Sequence, residues 1–242
     1  MKHIASCSFG KDSLATIILA YLHGEPLDEV VYARVMFDKH ISAEIPEHEE
    51  FINKVAIPTL RYLGYKVTVV TADANFVDDC FFRKRCKGAS LGKYGGFPLP
   101  GRCEVQRDLK LKAIKIIERM YQGEDVVQYV GIAIDEPERL ARLKNNRISL
   151  LQKYGVTEAG ATWLCKYFGL LSPVYDFTKR GGCFFCPNAT LKELSHLKEN
   201  HPDLWHRMLD LSKVPNKANT RFNRDYTLEE IDQMLTTKEA KG

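Results

Sequence analysis

The chain contains 242 residues with a net charge of +4, and 45% of its residues are hydrophobic and 27% charged. This length allows one large domain or one domain with a small appendage, and the composition is that of an ordinary soluble globular protein. No apolar run approaches the roughly 18 residues of a membrane span, and the first residues lack a signal-peptide pattern, so we predict a cytoplasmic protein with no membrane partner.

Strands and helices alternate along the first part of the sequence. Stretches rich in β-branched residues are followed by stretches with apolar residues at helical spacing. The strands are predicted at 2–8, 29–38, 65–72 and 125–135, and the helices at 13–23, 46–55 and 104–120. This alternation predicts an α/β domain over residues 1–157, with an open, mostly parallel, twisted sheet and helices on both faces.

The pattern changes after residue 157, so we predict a smaller helical region at 158–242. A helix is predicted at 158–169, an extended stretch at 170–177 and a tight loop with two cysteines at 179–188. Thr190 and Glu193, like Thr227 and Glu230, have the spacing of a capping box, which predicts a helix start at each position.

Residues 83–119 form a basic segment with eleven basic and three acidic residues. Its first part, 83–102, contains a long loop rich in glycine and proline and is a candidate lid over a ligand site. Such a cluster of positive charge either faces a polyanion or is an ordinary solvated surface, and both interpretations remain open. If a polyanionic substrate binds here, Arg83, Arg85 and Lys110 are the candidate contacts.

The turn after the first strand, Ser8–Ser13, has the composition of an anion site. A Walker A motif needs glycine and then Ser or Thr where this chain has Ala5 and Asp12, so that motif is excluded. The amides and dipole at the start of the next helix, two hydroxyls and Lys11 together suit a phosphate group. The alternative is a plain turn with Gly10 at its bend and Asp12 or Ser13 as the helix N-cap.

The sequence of this turn, SFGKDS, resembles the Ser-x-Gly-Lys-Asp-Ser signature of the PP-loop ATP pyrophosphatases, the adenine nucleotide α-hydrolase-like superfamily. Within this superfamily the chain is similar to the phosphoadenosine phosphosulfate reductase (CysH-like) family. Residues 36–51, 101–110 and 131–140 also carry the resemblance, which extends from about residue 3 to residue 190. Phe9 departs from the pattern, because many members have glycine there. The resemblance implies a PP-loop/HUP-like fold.

The resemblance also implies that ATP binds with Mg²⁺ and places its triphosphate on the Ser8–Ser13 turn. Attack at the α-phosphate would release pyrophosphate and leave an adenylated substrate, with Lys11, Asp12 and Asp38 as the implied catalytic residues. Asp38 and Glu136, which follow predicted strands, are equally candidates for structural caps. The implied nucleotide-binding residues are Ser8, Phe9, Gly10, Lys11, Asp12, Ser13, Asp38, Gly131, Asp135, Glu136 and Arg139.

Seven cysteines are an odd number for a disulfide framework, and their wide spacing favours reduced thiols or a metal site. Cys183 and Cys186 have the spacing of a metal-binding knuckle, which supplies two ligands. Cys103 and Cys165 are predicted to complete a site for zinc or a [4Fe-4S] cluster. Cys165 is alternatively a small buried core residue. Two further cysteines beside the basic stretch, Cys80 and Cys86, are alternative ligands or reactive thiols.

Three functions are compatible with these features. The first is an ATP-dependent adenylating enzyme that passes sulfur to a nucleic-acid base or a related small molecule, with a sulfur donor protein as a further partner. The second is reduction of phosphoadenosine phosphosulfate, a reaction that by resemblance uses a mobile C-terminal cysteine. The last cysteine here is Cys186, so we expect the first function rather than the second. The third is a nucleotide-binding module with a structural zinc ion.

Overall fold

The computed structural model describes residues 1–101, 103–144 and 146–239. None of the helices within these residues has both the length and the apolar character needed to cross a membrane. The strands are β1 (Lys2–Ser6), β2 (Glu29–Met36), β3 (Lys66–Asn75), β4 (Tyr94–Gly96), β5 (Val126–Tyr129), β6 (Arg147–Ile148) and β7 (Lys217–Asn219). The α-helices are α1 (Lys11–His23), α2 (Pro46–Phe51), α3 (Ile57–Tyr62), α4 (Leu111–Met120), α5 (Pro137–Leu140), α6 (Leu150–Lys153), α7 (Glu158–Tyr167), α8 (Leu191–Asn200), α9 (Pro202–Lys213) and α10 (Leu228–Glu239).

The larger sheet has five strands in the order β3-β2-β1-β5-β6, with β1 at its centre. β1 pairs in parallel with β2 and with β5, and β5 pairs in parallel with β6. The predicted α/β fold, a mostly parallel sheet flanked by helices, is therefore confirmed. The prediction missed β6 because its two residues are exposed and carry no apolar pattern.

Several predicted helices have different bounds in the structure. The helix predicted at 46–55 continues from α2 through a π-helical turn, Ile52–Ala56, into α3. The helix predicted at 104–120 begins with a second π-helical turn, Val105–Lys110, before α4. Both predicted capping boxes are confirmed, because in each the threonine hydroxyl accepts from the glutamate amide and the glutamate carboxylate accepts from the threonine amide.

The chain divides into two compact units that do not follow the predicted boundary at residue 157. The first unit contains Met1–Arg34, Pro46–Thr71 and Ala113–Tyr175, and the second contains the remaining three stretches, Val35–Ile45, Ala72–Lys112 and Asp176–Gly242. The difference arises because packing of distant elements decides which core a segment joins. The helix α7, for example, packs against α1 in the first unit although it follows residue 157.

The first unit is built around α1. Eight consecutive residues of this helix, Ser13 to Ala20, are buried, so it is covered on every side rather than on one face. It packs against α6 and α7 and against β1. The surrounding core is mainly aliphatic and fixes the backbone of α1, including its amino end.

The second unit has a core of aromatic side chains. Phe76 and Phe185 stack with their ring centroids 4.2 Å apart, and Phe37 contacts Phe184 and Phe185 at 4.9 and 5.2 Å. Phe184 and Phe185 are the two residues between Cys183 and Cys186. Their burial anchors this cysteine pair, which we call the cysteine loop (Cys183–Cys186), in the core of the unit.

The chain after β5 passes very close to the first turn of α1. A Cβ atom added to Gly131 would lie 2.6 Å from the carbonyl carbon of Asp12 and 2.6 Å from the amide nitrogen of Ser13. The first turn of α1 follows β1, and the Gly131 segment follows β5. These strands are neighbours, and the order in which the chain adds strands to the sheet changes direction between them. In open parallel sheets this switch point is where ligands bind.

We predict that Gly131→Ala destabilises the protein by about 3 kcal/mol, because the new methyl group meets backbone atoms that cannot rotate away. Urea unfolding followed by circular dichroism measures this change. Gly160→Ala is the matched control, since its methyl group would meet side-chain atoms rather than backbone, Val156 at 3.1 Å and Thr157 at 3.5 Å, and it should change stability by less than about 1 kcal/mol. Equal effects of the two substitutions would contradict the close approach.

Candidate functional site

The helix α1 begins without a side-chain cap. Its N-cap residue is Gly10, which has no side chain to accept a hydrogen bond from the first turn. The amide of Leu14 makes the first bond within the helix, to the Gly10 carbonyl at 3.0 Å. The amides of Lys11, Asp12 and Ser13 therefore have no acceptor inside the helix. Together with the positive end of the helix dipole they form a site for an anion.

Phe9 determines the backbone shape of the turn that leads into α1. We call this turn, Ser8–Ser13, the phosphate loop, because it is the candidate phosphate site. The φ angle of Phe9 is 57°, in the left-handed region that glycine adopts readily and other residues adopt at a cost of about 1–2 kcal/mol. The ring is fully buried and contacts the Tyr32 ring edge-on at a centroid distance of 5.1 Å. The loop therefore keeps a glycine-like backbone at this position while the side chain anchors it in the core.

The Tyr175 hydroxyl lies on the side of the phosphate loop where an anion would bind, at the first amide of α1. The hydroxyl oxygen accepts a hydrogen bond from the Lys11 amide at 3.0 Å. A Cβ atom on Gly10 would lie 3.2 Å from the same hydroxyl, so glycine at position 10 leaves room for it. Burial raises the pKa of Tyr175, although the hydrogen bond from Lys11 opposes this change, and the hydroxyl stays protonated. The phenol oxygen thus takes the place that a phosphate oxygen would take at this amide.

A buried histidine supports the other end of the phosphate loop. His48 is 1% exposed, and its two ring nitrogens lie 2.9 Å from the Ser172 hydroxyl and 3.2 Å from the Ser8 carbonyl oxygen. The carbonyl can only accept, so the Nε2 atom carries the proton and donates to Ser8. Ser172 and Tyr175 belong to the same short segment, which therefore contacts the loop directly through Tyr175 and supports it through His48.

The Lys11 side chain is held among carboxylates. Its Nζ atom lies 2.8 Å from Asp12 and 3.4 Å from Glu158. Burial acts to lower the pKa of Lys11, but the attraction of Asp12 and Glu158 outweighs burial and raises it. The pKa of Asp12 is also raised, by burial and by the nearby Glu158 and Glu136, against the effect of Lys11. Two carboxylates therefore pair with one lysine at the loop, and a third, Glu136, is close enough to Asp12 to raise its pKa.

The other predicted nucleotide contacts after β5 lie in the same unit. Glu136 accepts from the Ala133 amide at 3.1 Å and forms an ion pair with Arg139. Asp135 accepts from the Glu158 amide at 3.0 Å, in the first turn of α7. Both carboxylates thus hold local structure beside the loop, and their roles toward a nucleotide stay predictions.

Asp38 belongs to the second unit, where its carboxylate has three partners. Its Oδ1 atom accepts from the amides of His40 and Ile41, each at 2.8 Å, and its Oδ2 atom pairs with Arg207. Burial acts to raise the pKa of Asp38, but these hydrogen bonds and Arg207 lower it overall. This arrangement matches the structural cap that the sequence left open, and the catalytic role of Asp38 stays a prediction.

Three of the four predicted metal ligands, Cys103, Cys183 and Cys186, belong to the second unit, where their sulfur atoms influence one another electrostatically but do not all lie within 4.8 Å of one another. Burial raises the pKa of Cys183 well above its usual value, and Glu44, Cys186 and Cys103 are close enough to add to this effect. Backbone hydrogen bonds of 3.0 Å tie the residues on either side of Cys183 to the 43–45 stretch. The guanidinium of Arg180 donates to the Cys186 sulfur at 3.2 Å.

Cys165 fits the alternative of a small buried core residue, and its role as a metal ligand stays a prediction. It belongs to the first unit, is fully buried and donates its thiol hydrogen to the Lys11 carbonyl at 3.1 Å. Burial and the nearby Asp12 raise its pKa to about 12, just as burial raises the pKa of Cys183. Burial likewise raises the pKa of Cys80 to about 12, and Cys86 is exposed with its thiol near the Lys84 carbonyl.

Two of the candidate polyanion contacts, Arg83 and Arg85, are paired with acidic residues of the basic segment itself. Arg85 pairs with Glu104 at 2.5 Å, and Arg83 pairs with Asp108 at 2.6 Å and with Glu104 at 3.4 Å. Lys110 is exposed, and its charge acts on the Cys183 thiol. In the candidate lid, residues 94–96 form β4, which pairs with β7, so this part is a strand with a fixed partner. Arg102, the last lid residue, lies outside the described residues.

Three residues at the phosphate loop were not predicted from the sequence. Tyr175, Glu158 and His48 lie far from the loop in sequence, and only folding brings them to it. Glu158 had a weak signal, because it starts a predicted helix. The other two had none, since a tyrosine and a histidine in mixed surroundings are ordinary residues by pattern.

We predict that Tyr175→Phe binds Mg²⁺–ATP about fivefold more tightly than the unmodified protein. The substitution removes the acceptor from the Lys11 amide, which leaves a buried donor unpaired in the ligand-free protein at a cost of about 1 kcal/mol or more. Titration calorimetry measures the affinity, and the melting temperature of the ligand-free variant should fall. Weaker binding by Tyr175→Phe would mean that the hydroxyl is itself a phosphate ligand.

Comparison with known proteins finds similarity among solved structures. No protein-family model and no curated protein sequence matches the chain. Among solved structures, the chain is similar to the U34-tRNA thiolase NcsA from Methanococcus maripaludis with its [4Fe-4S] cluster, with 15% sequence identity and a TM-score of 0.41. The similarity covers 98% of this chain and 72% of that one. A similarity of this size does not decide what the present chain does, which has to follow from its own residues.

Proposed function

We propose that this chain is a PP-loop enzyme that cleaves ATP at the α-phosphate and adenylates an acceptor. The observation that carries the proposal is the uncapped amino end of α1, which presents its amides and Lys11 at the switch point of a parallel sheet. A plain turn with Asp12 or Ser13 as the N-cap would have a side chain bonded to these amides, whereas the N-cap of α1 is Gly10 and has no side-chain hydrogen bond.

In the proposed reaction an oxygen of the acceptor attacks the α-phosphorus of ATP. The bond from this phosphorus to the bridging oxygen breaks, and pyrophosphate leaves with the negative charge that develops on it. Lys11 and the first-turn amides of α1 are placed to stabilise that charge, because donors that are already oriented need no rearrangement. To take this role, Lys11 has to exchange its ion pairs with Asp12 and Glu158 for phosphate oxygens.

The carboxylates around Lys11 fit a magnesium-bound nucleotide. Asp12, Glu136 and Glu158 would repel a free triphosphate, and a divalent cation reverses this repulsion. Magnesium usually keeps several waters and needs only one or two carboxylates from the protein. We assign Asp12 as the protein ligand, since it is the carboxylate on the loop itself.

For the second step, we propose that Cys103, Cys183 and Cys186 hold zinc or an iron–sulfur cluster. All three belong to one unit, and buried phenylalanines support the cysteine loop. To bind one ion or cluster, the three sulfur atoms would have to move closer together than the structure places them. A cluster bound there would supply a site for the sulfur that replaces AMP on the acceptor. Membership of the CysH-like family and the alternative reductase activity stay predictions.

We predict that Lys11→Ala lowers pyrophosphate release by at least about 100-fold, because it removes a donor on the leaving group. The assay contains Mg²⁺–ATP and unfractionated transfer RNA as the nucleic-acid acceptor. Lys54→Ala is the control, since Lys54 is exposed and pairs only with Glu50 in the described part of the chain. Release of orthophosphate in place of pyrophosphate would contradict cleavage at the α-phosphate.

We predict that Cys183→Ser removes most of the bound metal, whereas Cys165→Ser retains it. The difference is expected because Cys183 lies with two other thiols, while Cys165 bonds to the Lys11 carbonyl as a buried thiol. Iron and zinc contents and the absorption spectrum of anaerobically purified protein measure the outcome and identify the metal. Equal loss in both variants would return Cys165 to the ligand set.

A further inference from the structure

The predicted polyanion contacts Arg83 and Arg85 already have carboxylate partners. Glu104 and Asp108 take their guanidinium groups, and Arg107 and Arg83 hold the pKa of Asp108 at about 2 despite its partial burial. Releasing either arginine to a phosphate would leave a half-buried carboxylate without its partner. A polyanionic acceptor would therefore bind more favourably to arginine or lysine side chains that have no carboxylate partner.

A cavity in the second unit offers such cations. Its volume is 620 Å³, which is within the range of small-ligand sites and exceeds the volume of a single phosphate group. No acidic residue contributes to its lining. The lining residues are Leu99, Pro100, Gly101, Asn219, Arg221, Asn223 and Arg224.

The wall of this cavity is built from β7 and the turn that follows it. The Asn219 side chain donates to the Phe97 carbonyl at 2.9 Å and accepts from the Arg221 amide at 3.2 Å. Between the two arginines, Phe222 is buried and packs edge-on against Phe97 at a centroid distance of 5.2 Å. Arg221 and Arg224 therefore flank an anchored residue rather than a free loop.

The charged and polar side chains that this turn contributes to the cavity, Arg221, Asn223 and Arg224, carry hydrogen-bond donors. Asn223 uses its side-chain oxygen to accept from the amides of Asp225 and Tyr226, at 2.9 and 2.8 Å, which leaves its NH₂ group as the end available to a ligand. Arg221 donates to the Arg224 carbonyl at 2.9 Å. Within the described residues, neither arginine has a carboxylate within ion-pair distance.

We propose that the cavity of Arg221 and Arg224 binds a backbone phosphate of a nucleic-acid acceptor, an inference that rests on the acceptor class of the proposed function. Two guanidinium forks and an amide donor match the oxygens of a phosphodiester. Leu99 is 48% exposed beside them and Tyr226 is 43% exposed on the same turn. These apolar surfaces suit a sugar and a base, so a nucleic acid fits better than inorganic phosphate alone.

The test measures binding of a fluorescein-labelled single-stranded RNA of mixed sequence by anisotropy at several salt concentrations. The double variant Arg221→Gln/Arg224→Gln should lose at least tenfold in affinity, and the slope of log affinity against log salt should fall by about 1.5. Lys192→Gln/Lys213→Gln is the control, because it removes the same charge from exposed positions of the same unit and should change affinity by less than threefold. Arg221→Lys/Arg224→Lys keeps the charge but loses the fork geometry, so it should fall between the two.

Each result decides between the possible ligands. Equal losses in the double variant and its control, or no RNA binding by the unmodified protein, would overturn the proposal. A loss of ATP or AMP affinity in the arginine variant, with RNA affinity unchanged, would make the cavity a mononucleotide site and also overturn it. The arginine variant could lose RNA binding while the unmodified protein releases no pyrophosphate. That combination would uphold this site and reject the proposed function.

Discussion

The arrangement of the candidate site depends on two positions beside the amino end of α1 that carry no side chain. Gly10 gives the helix no cap, and Gly131 lets the chain after β5 pass close to the backbone of Asp12 and Ser13. The amides of the first turn are therefore left without a side-chain cap, and they lie beside β1 and β5, at the switch point of the sheet. The remaining residues of the site arrange charge and hydrogen bonds around this bare backbone.

The protein compensates for the bare helix end with groups from distant parts of the chain. Tyr175 accepts from the Lys11 amide, His48 donates to the Ser8 carbonyl and Cys165 donates to the Lys11 carbonyl. Each of these bonds satisfies a backbone group that would otherwise be costly to bury. Only the bond from Tyr175 lies on the side where an anion would bind, so an anion at this amide would have to replace it.

The sequence predicts the parts of this structure that have a local signal. Alternating strands and helices, the phosphate loop and both capping boxes can be identified because their residues are adjacent or regularly spaced. The partners of the loop cannot, since Tyr175 and His48 reach it only through folding. The neutralisation of Arg83 by Asp108 is likewise invisible to a count of charges, because the count does not say which charges touch. The same limit explains why the boundary between units does not fall at residue 157.

The two cores position the groups of the proposed chemistry by the same means. In the first unit, a helix buried on all sides holds backbone amides in fixed directions, which electrostatic stabilisation of a leaving group requires. In the second unit, Phe184 and Phe185 are buried between Cys183 and Cys186, so the thiols are positioned by the packing of their neighbours. In both cases the reactive groups carry little of the packing themselves. Their geometry therefore depends on core residues that would never touch a substrate, and a substitution there disturbs the chemistry without removing any reactive group.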